Sequence, residues 1–228
     1  MRTEAERDHE REGAGVASAL PVIVLYPDQD PEAAMVLGQA FANDPLLDAV
    51  LPPVTDPVER VRILTAVFAV ALKHQRLRGQ PVLGIIRGGE VAAVAITEGA
   101  QRLSTKTPLL RALGMLFRMI AVVGVAATLR AIRFTKETRR NRPHQPHLYL
   151  SAIGVAPAQQ GRHYGTALLG YLRSLLTFHS EWIGIYLETA NKANLSYYER
   201  AGYRLLGETE TLGVTIWRMM QSRAELGE

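Results

Sequence analysis

The stretch that most restricts what this chain can fold into runs from Leu148 to Leu176. It opens with LYLSAIGV (Leu148 to Val155), eight mostly apolar and β-favouring residues that run into Ala156-Pro157. Proline cannot continue a central ladder, so a buried strand is expected to stop there. Beyond the loop, Leu168, Leu172, Leu175 and Leu176 recur at helical spacing, which places a helix start near His163 to Thr166. A strand that passes through a short loop into a helix leaves the first helical N–H groups unpaired, with the positive end of the helix dipole behind them. Such a junction is a natural cradle for phosphate. Gly161 and Gly165 carry no side chain to hold a ligand away from the backbone. The loop has neither the Lys-Ser/Thr of a triphosphate-binding loop nor a G-x-G-x-x-G fingerprint. Another phosphate ligand is indicated, and a pyrophosphate fits.

Gln160-Gly161-Arg162-His163-Tyr164-Gly165 resembles the Q/R-x-x-G-x-G/A signature of the GNAT superfamily of N-acetyltransferases, whose loop holds the pyrophosphate of acetyl-CoA. It departs at one position, where His163 replaces the first signature glycine. A second segment, LETANKANLSYYERAGY (Leu187 to Tyr203), is similar to the end of the same domain. There Asn191 is followed seven positions on by Tyr198, and four further on by Gly202 and the aromatic Tyr203. Two spacings in the right order carry the resemblance over Leu148 to Met220, and the earlier half agrees in general layout. YLSAIGV, LET and YYERAGY together have the flavour of the puromycin N-acetyltransferase type.

The resemblance implies an α/β fold with a mixed, mostly antiparallel central sheet, helices on both faces and a helical insertion before the central strand. It implies acetyl-CoA as co-substrate, held by Val155, Gln160, Gly161, Arg162, His163, Tyr164, Gly165 and Thr166, with Asn191 on the pantetheine arm. Asn191 would equally serve as an ordinary helix N-cap. Val155 would act through its backbone, where the central strand splays from its neighbour. Tyr198 is implied as the general acid that protonates the departing thiolate. A phenol of pKa about 10 suits that role, being close to a thiol yet protonated at neutral pH. Neighbouring Tyr197 is read as structural. The general base stays open between Glu98, Glu188 and water.

Residues 1–20 are mixed in charge, lack the apolar core of a secretory signal, and read as a flexible tail. Residues 21–224 are expected to form one domain, with 147–220 as its cofactor half. At 228 residues and 47% apolar content, one domain with a full core is affordable. There are no cysteines, which removes thiolate metal sites and cysteine nucleophiles and agrees with a reducing cytoplasm. His144 and His147 lack a third ligand, so no metal is expected. The longest apolar run, Met119 to Leu129, is bracketed by Arg118 and Arg130 and falls short of the ~20 residues of a membrane span. A soluble, cytoplasmic chain is expected.

Residues 101–142 hold ten Lys or Arg and one acid, Glu137, while the rest of the chain carries 16 basic and 21 acidic residues. That basic segment has no aromatic interleaving and no DNA-reading motif, so it is read as solvated helix faces near an anionic cofactor and not as a nucleic-acid site. Its apolar residues make it the contact through which a homodimer would form.

Earlier in the chain, Pro21 to Pro27 reads as a strand, Glu32 to Asn43 as a helix, and Arg60 to Arg76 as a helix presenting Ile63, Val67, Val70 and Ala71. Phe41 to Leu51 would lie on the substrate side. Val82 to Ile96 is a hairpin around Arg87-Gly88-Gly89-Glu90. Thr97 to Pro108 reads as a loop, Leu109 to Thr138 as one helix or two divided at Gly124, and Arg140 to Pro146 as a linker. Ile183 to Thr189 is a strand, Lys192 to Ala201 a helix, and a last hairpin turns across Glu210 to Leu212.

The function expected from these residues is acetyl transfer from acetyl-CoA to a primary amine of a small molecule. The alternatives are a CoA-binding protein without catalysis and an acetyltransferase acting on protein lysines or N-termini.

Overall fold

The computed structural model describes residues 20–99 and 109–226; the expected N-terminal tail and most of the loop before Pro108 lie outside them. Seven strands form one sheet in the order β1-β2-β3-β4-β5-β7-β6. They are β1 (Ile23–Val24), β2 (Val82–Arg87), β3 (Glu90–Glu98), β4 (Leu148–Val155), β5 (Gly184–Thr189), β6 (Arg204–Thr211) and β7 (Val214–Ser222). Only β4 and β5 run parallel; every other neighbouring pair is antiparallel.

The helices are α1 (Asp30–Ala40), α2 (Pro45–Val50), α3 (Pro57–Leu77), α4 (Leu109–Arg140), α5 (Tyr164–Phe178) and α6 (Leu195–Arg200). On one face of the sheet, Leu168, Leu169, Leu172 and Leu176 of α5 pack with Leu83, Ile85, Ala93, Ala95, Leu148 and Leu150. On the other, Ala33, Val36 and Leu37 of α1 and Phe68 and Leu72 of α3 cover Val82, Val91, Val94, Ile96 and Ala152. Strand alternation supplies both sets, because successive side chains of one strand point to opposite faces.

Local chemistry sets the element ends. Asp44 and Asp56 each precede a proline at the first helical position and cap the following helix. Asp44 Oδ1 accepts from the N–H groups of Leu46 and Leu47, and Asp56 Oδ1 from that of Val58. Gly88 and Gly89 both have positive φ, as a two-residue hairpin turn between β2 and β3 requires. Gly124 interrupts α4 at φ 79°, ψ 170°, so the expected division of the insertion falls at that residue.

Four expectations are corrected. The first strand shrinks to Ile23–Val24, because Pro27 opens a one-turn 3-10 helix. The face that α3 buries is centred on Leu64, Phe68, Leu72 and Gln75, one position from the expected stripe. The helix is wedged between α1 and α4, with Ile63 and Val67 turned toward the latter, so a single-stripe reading misplaces its centre. Gln75 is buried because its Nε2 donates to the carbonyls of Pro81 and Thr97. β3 continues through Thr97 and Glu98, paired with Leu150 and Tyr149, where a loop is expected. The last hairpin turns at Leu212-Gly213, both at positive φ, later than Glu210, because glycine supplies the left-handed position that the turn demands.

Candidate active site

β4 and β5 are paired only through Leu148, Leu150 and the residue between them, opposite Ile185 to Leu187. Beyond that point the two strands part, and two cavities open along the gap. The first, about 450 Å³, is lined by Gly154, Val155, Gln159, Gln160, Gly161, His163, Gly165, Thr166 and Tyr197, among others. The second, about 310 Å³, is lined by residues of α1 and α2, by Phe68 and Phe134, and by Tyr149, Ser151, Glu188 and Asn191. Ala40, Ile153, Asn194 and Tyr198 line both. The cavities therefore meet at Tyr198.

The loop that supplies the first cavity has a distinctive backbone. Gly161 has φ 77°, and His163 sits at φ 61°, ψ 15° as the residue before α5. The left-handed conformation is the one a glycine would adopt most easily, so the histidine occupies the signature position with the backbone shape of the residue it replaces. No acidic side chain lies in the first turn of α5 to compete for its free N–H groups. Gln160 Nε2 donates to the Val155 carbonyl at 3.4 Å, while Gln159 Oε1 is buried without a partner among the described residues. Arg162 is exposed and does not line the cavity, whereas Tyr164, though largely buried, does line it. These features fit a phosphate-bearing ligand: an open helix start, a loop without competing anions, and an orphaned acceptor for a ligand amide or amine.

Tyr198 is 7% exposed, stacked edge-on with Tyr197 on one side and Tyr203 on the other. Burial, with smaller contributions from Tyr197 and Asp44, pushes its phenol well above the ordinary tyrosine value. The proton therefore stays on Tyr198 Oη through the neutral range.

Asn191 faces the second cavity, not the first, and its Oδ1 accepts from the Ala193 N–H at 3.0 Å, the cap reading. Glu98 is paired with Arg78 at 3.4 Å and lines neither cavity. Glu188 lines the second, its side chain only 5% exposed. Its carboxylate accepts from Tyr186 Oη at 2.9 Å and Tyr149 Oη at 3.3 Å, with Arg142 at 3.8 Å and stacked 3.6 Å over the Tyr149 ring. Both phenols are pushed far up, first by burial and then by the Glu188 charge, so they remain donors to the carboxylate. His147 Nδ1 donates to the Gln145 carbonyl at 2.8 Å, and no metal-binding group of three ligands is present among the described residues.

Sequence reasoning missed Tyr149, Tyr186 and Asn194 as lining or supporting groups, and it placed Asp44 on the substrate side only as part of Phe41 to Leu51, a stretch that does line the second cavity. Asp44 carried a legible signal for its capping role, an Asp-Pro at a helix start. Its place in a cavity depends on how α2 packs against α3 and α4. Burial raises its pKa despite the two N–H groups it accepts from.

Residues 119–203 match the model of the acetyltransferase (GNAT) family. The chain carries a GNAT acetyltransferase domain. Among solved structures, this domain is similar to the histone acetyltransferase HPA2 and related acetyltransferase from Corynebacterium glutamicum, at 23% identity and TM-score 0.63, covering 88% of this chain and 94% of that one. It is also similar to arylalkylamine N-acetyltransferase 2 from Aedes aegypti, at 12% identity and TM-score 0.56 over 89% and 98% of the two chains. Drosophila melanogaster polyamine N-acetyltransferase gives 14% identity and TM-score 0.52 over 89% and 100%. At these identities the likeness establishes the GNAT fold. No curated protein sequence matches the chain.

Proposed function

We propose that this GNAT domain transfers an acetyl group from acetyl-CoA to the amine of a small cationic molecule. The observation that carries the reading is the meeting of two cavities at Tyr198, with opposite chemistry on either side. One side offers a helix start and a loop of free N–H groups for an anion. On the other, the only charged lining side chains among the described residues are the carboxylates of Asp44 and Glu188, set among Phe41, Phe68, Phe134 and Tyr149. Carboxylates framed by aromatic faces favour an ammonium group on an apolar body. Two of the structural neighbours are named for arylalkylamine and polyamine substrates, which agrees with such an acceptor.

Acetyl-CoA, when bound, supplies the thioester: the C–S bond breaks as the C–N bond forms. The residues of this chain do the rest. Gln160, Gly161, His163, Gly165 and Thr166 hold the anionic end, and the unpaired edge of β4 beyond Leu150 positions the arm. Tyr198 Oη holds a proton where the two ligands would touch and delivers it to the departing sulfur. Glu188, fixed by two tyrosines, anchors the ammonium and stands where the amine proton leaves, directly or through water. Holding both reactants in register supplies much of the rate.

Calorimetric titration with acetyl-CoA, followed by thiol release over a panel of diamines, arylalkylamines, peptide N-termini and lysine peptides, tests this reading. Binding with release on the small amines supports it. Binding without release on any amine would make the domain a CoA-binding protein, release on peptides alone would move the acceptor to proteins, and absence of binding would overturn the assignment of the first cavity.

A further inference from the structure

We propose that the outer face of α4 docks this domain on a membrane surface carrying anionic lipid. The inference is independent of the acetyl-transfer site and rests on how α4 divides its side chains. Toward α2 and α3 it presents Val123, Ala127 and Ala131, packed with Val50, Leu51 and Leu64. Other large apolar residues are exposed: beyond the break at Gly124, Leu129 is 59% exposed, Val125 57% and Ile132 48%, and before it Phe117 is 67% exposed, while Met119, Val122 and Phe134 stay against the domain. A soluble surface seldom carries such a row, and contiguous exposed apolar patches mark contact sites.

The row has an order. Val125, Leu129 and Ile132 fall at i, i+4 and i+7, and the same stripe continues through Lys136, Arg139 and Arg140, all exposed. Arg118 and Arg133 are exposed beside it. The one acid of the helix, Glu137, is engaged by Arg133 and by the Thr211 hydroxyl. The outer face is thus an apolar crest that runs into uncompensated positive charge.

That combination selects among partners. A second copy would set the two basic ends against each other or leave them unpaired. Nucleic acid would use the charges but gain nothing from Phe117, Leu129 and Ile132. An anionic bilayer surface uses both, burying the crest at the headgroup boundary while the basic side chains meet lipid phosphates and carboxylates.

Leu113–Arg140 is long and apolar enough to cross a bilayer by length and composition. Its inner face is committed to the domain, however. Arg130 Nε donates to the Val50 carbonyl at 2.8 Å, and Val123 and Ala127 are buried. A helix held that way lies on a membrane and does not span it. The sequence expectation excluded a spanning segment, and the surface mode is a different one.

Sedimentation of the full chain with vesicles tests the proposal, using phosphatidylcholine alone or with phosphatidylserine as roughly a third of the lipid. Binding is expected on the anionic vesicles, weakened by salt, and absent on neutral ones. Lys136→Glu/Arg139→Glu/Arg140→Glu should lower the partition coefficient about a hundredfold or more, each basic residue near the surface contributing about fivefold. Leu129→Glu/Ile132→Glu should lower it at least about tenfold through the lost crest. These positions are exposed, so the melting temperature and acetyl-CoA affinity of both variants should match the parent. Absence of binding to anionic vesicles at low salt would overturn the proposal. So would binding indifferent to either variant, a dimer dissociated by Leu129→Glu/Ile132→Glu without vesicle binding, or duplex binding sensitive only to the charge reversals.

Discussion

The phenol oxygen of Tyr197 lies 2.5 Å from where a β-carbon on residue 165 would stand. Gly165 thus makes room for a side chain of α6 as well as for a ligand. Gly165→Ala should push Tyr197 aside, because real β-carbons do not tolerate such a contact, and should weaken acetyl-CoA binding by about tenfold or more. Removing the oxygen instead of the methyl should repair it. In Gly165→Ala/Tyr197→Phe, calorimetry is expected to recover most of the lost affinity; a double variant no better than the single one would mean that ligand bulk, not the tyrosine, sets the glycine.

His163 makes the converse point at the neighbouring position. A non-glycine residue at φ 61° stores strain of about 1 kcal/mol. His163→Gly should therefore preserve acetyl-CoA affinity, with stability changed by less than about 1 kcal/mol, because relief of strain is offset by the entropy of a freer unfolded chain. His163→Val should lose about 1–2 kcal/mol in urea unfolding, since a β-branched residue is poorly tolerated there. Equal stability for the two variants would show that the left-handed geometry is not retained in solution.

These two residues mark how far the sequence could be read. Spacing alone located the β4-to-α5 junction, the hairpin at Gly88-Gly89 and the break at Gly124, because each rests on a local rule about proline, glycine or helical period. The fold class followed from the order of those pieces and from the GNAT resemblance. Less was legible where two elements compete for one side chain. α3 lies between α1 and α4, so its buried centre moved by one residue; Glu188 was one of two candidate carboxylates, with Glu98, until Tyr186, Tyr149 and Arg142 came to surround it. Tyr149 and Tyr186 sit side by side through the β4–β5 register, which no single segment encodes. The exposed crest of α4 was equally invisible, since an amphipathic pattern does not say which face is turned inward.

Asp44 predicts a trade of stability for binding. Its folded pKa is raised, chiefly by burial. Such a group stabilises the fold most when protonated, and that contribution is lost as pH rises through the raised value. Asn at this position keeps the capping oxygen, so Asp44→Asn should melt higher than the parent at pH 7. The difference should shrink to nothing below about pH 3.9, the ordinary aspartate value. Binding should run oppositely: parent affinity for a cationic amine tightens as pH rises through the raised pKa, and the variant shows no such step. A pH-independent melting difference would contradict this account.

Glu188→Gln tests the anchor. The amide retains an acceptor for Tyr186 Oη but loses the charge that faces the ammonium. The Michaelis constant for a cationic amine should rise about tenfold or more, while acetyl-CoA affinity from calorimetry stays put. A neutral arylalkyl analogue should bind the two proteins alike. Equal losses for charged and neutral acceptors would mean that Glu188 acts only through packing.

Tyr198→Phe separates proton delivery from packing at the point where the cavities join. Phenylalanine keeps the ring against Tyr197 and Tyr203 and removes only the hydroxyl, which leaves no hydrogen-bond partner stranded among the described residues. Stability and acetyl-CoA affinity should therefore change little. Turnover should fall by about 10²-fold or more, the usual worth of a positioned general acid. The loss should be smaller for a thioester whose thiol is more acidic, because a better leaving group needs its proton less. Raised pH should not imitate the substitution below the range in which the buried phenol ionises, since burial holds that proton above the ordinary tyrosine value. Unchanged turnover in the phenylalanine variant, or an identical loss with both thioesters, would remove Tyr198 from the acid role and leave it as a wall between two ligands.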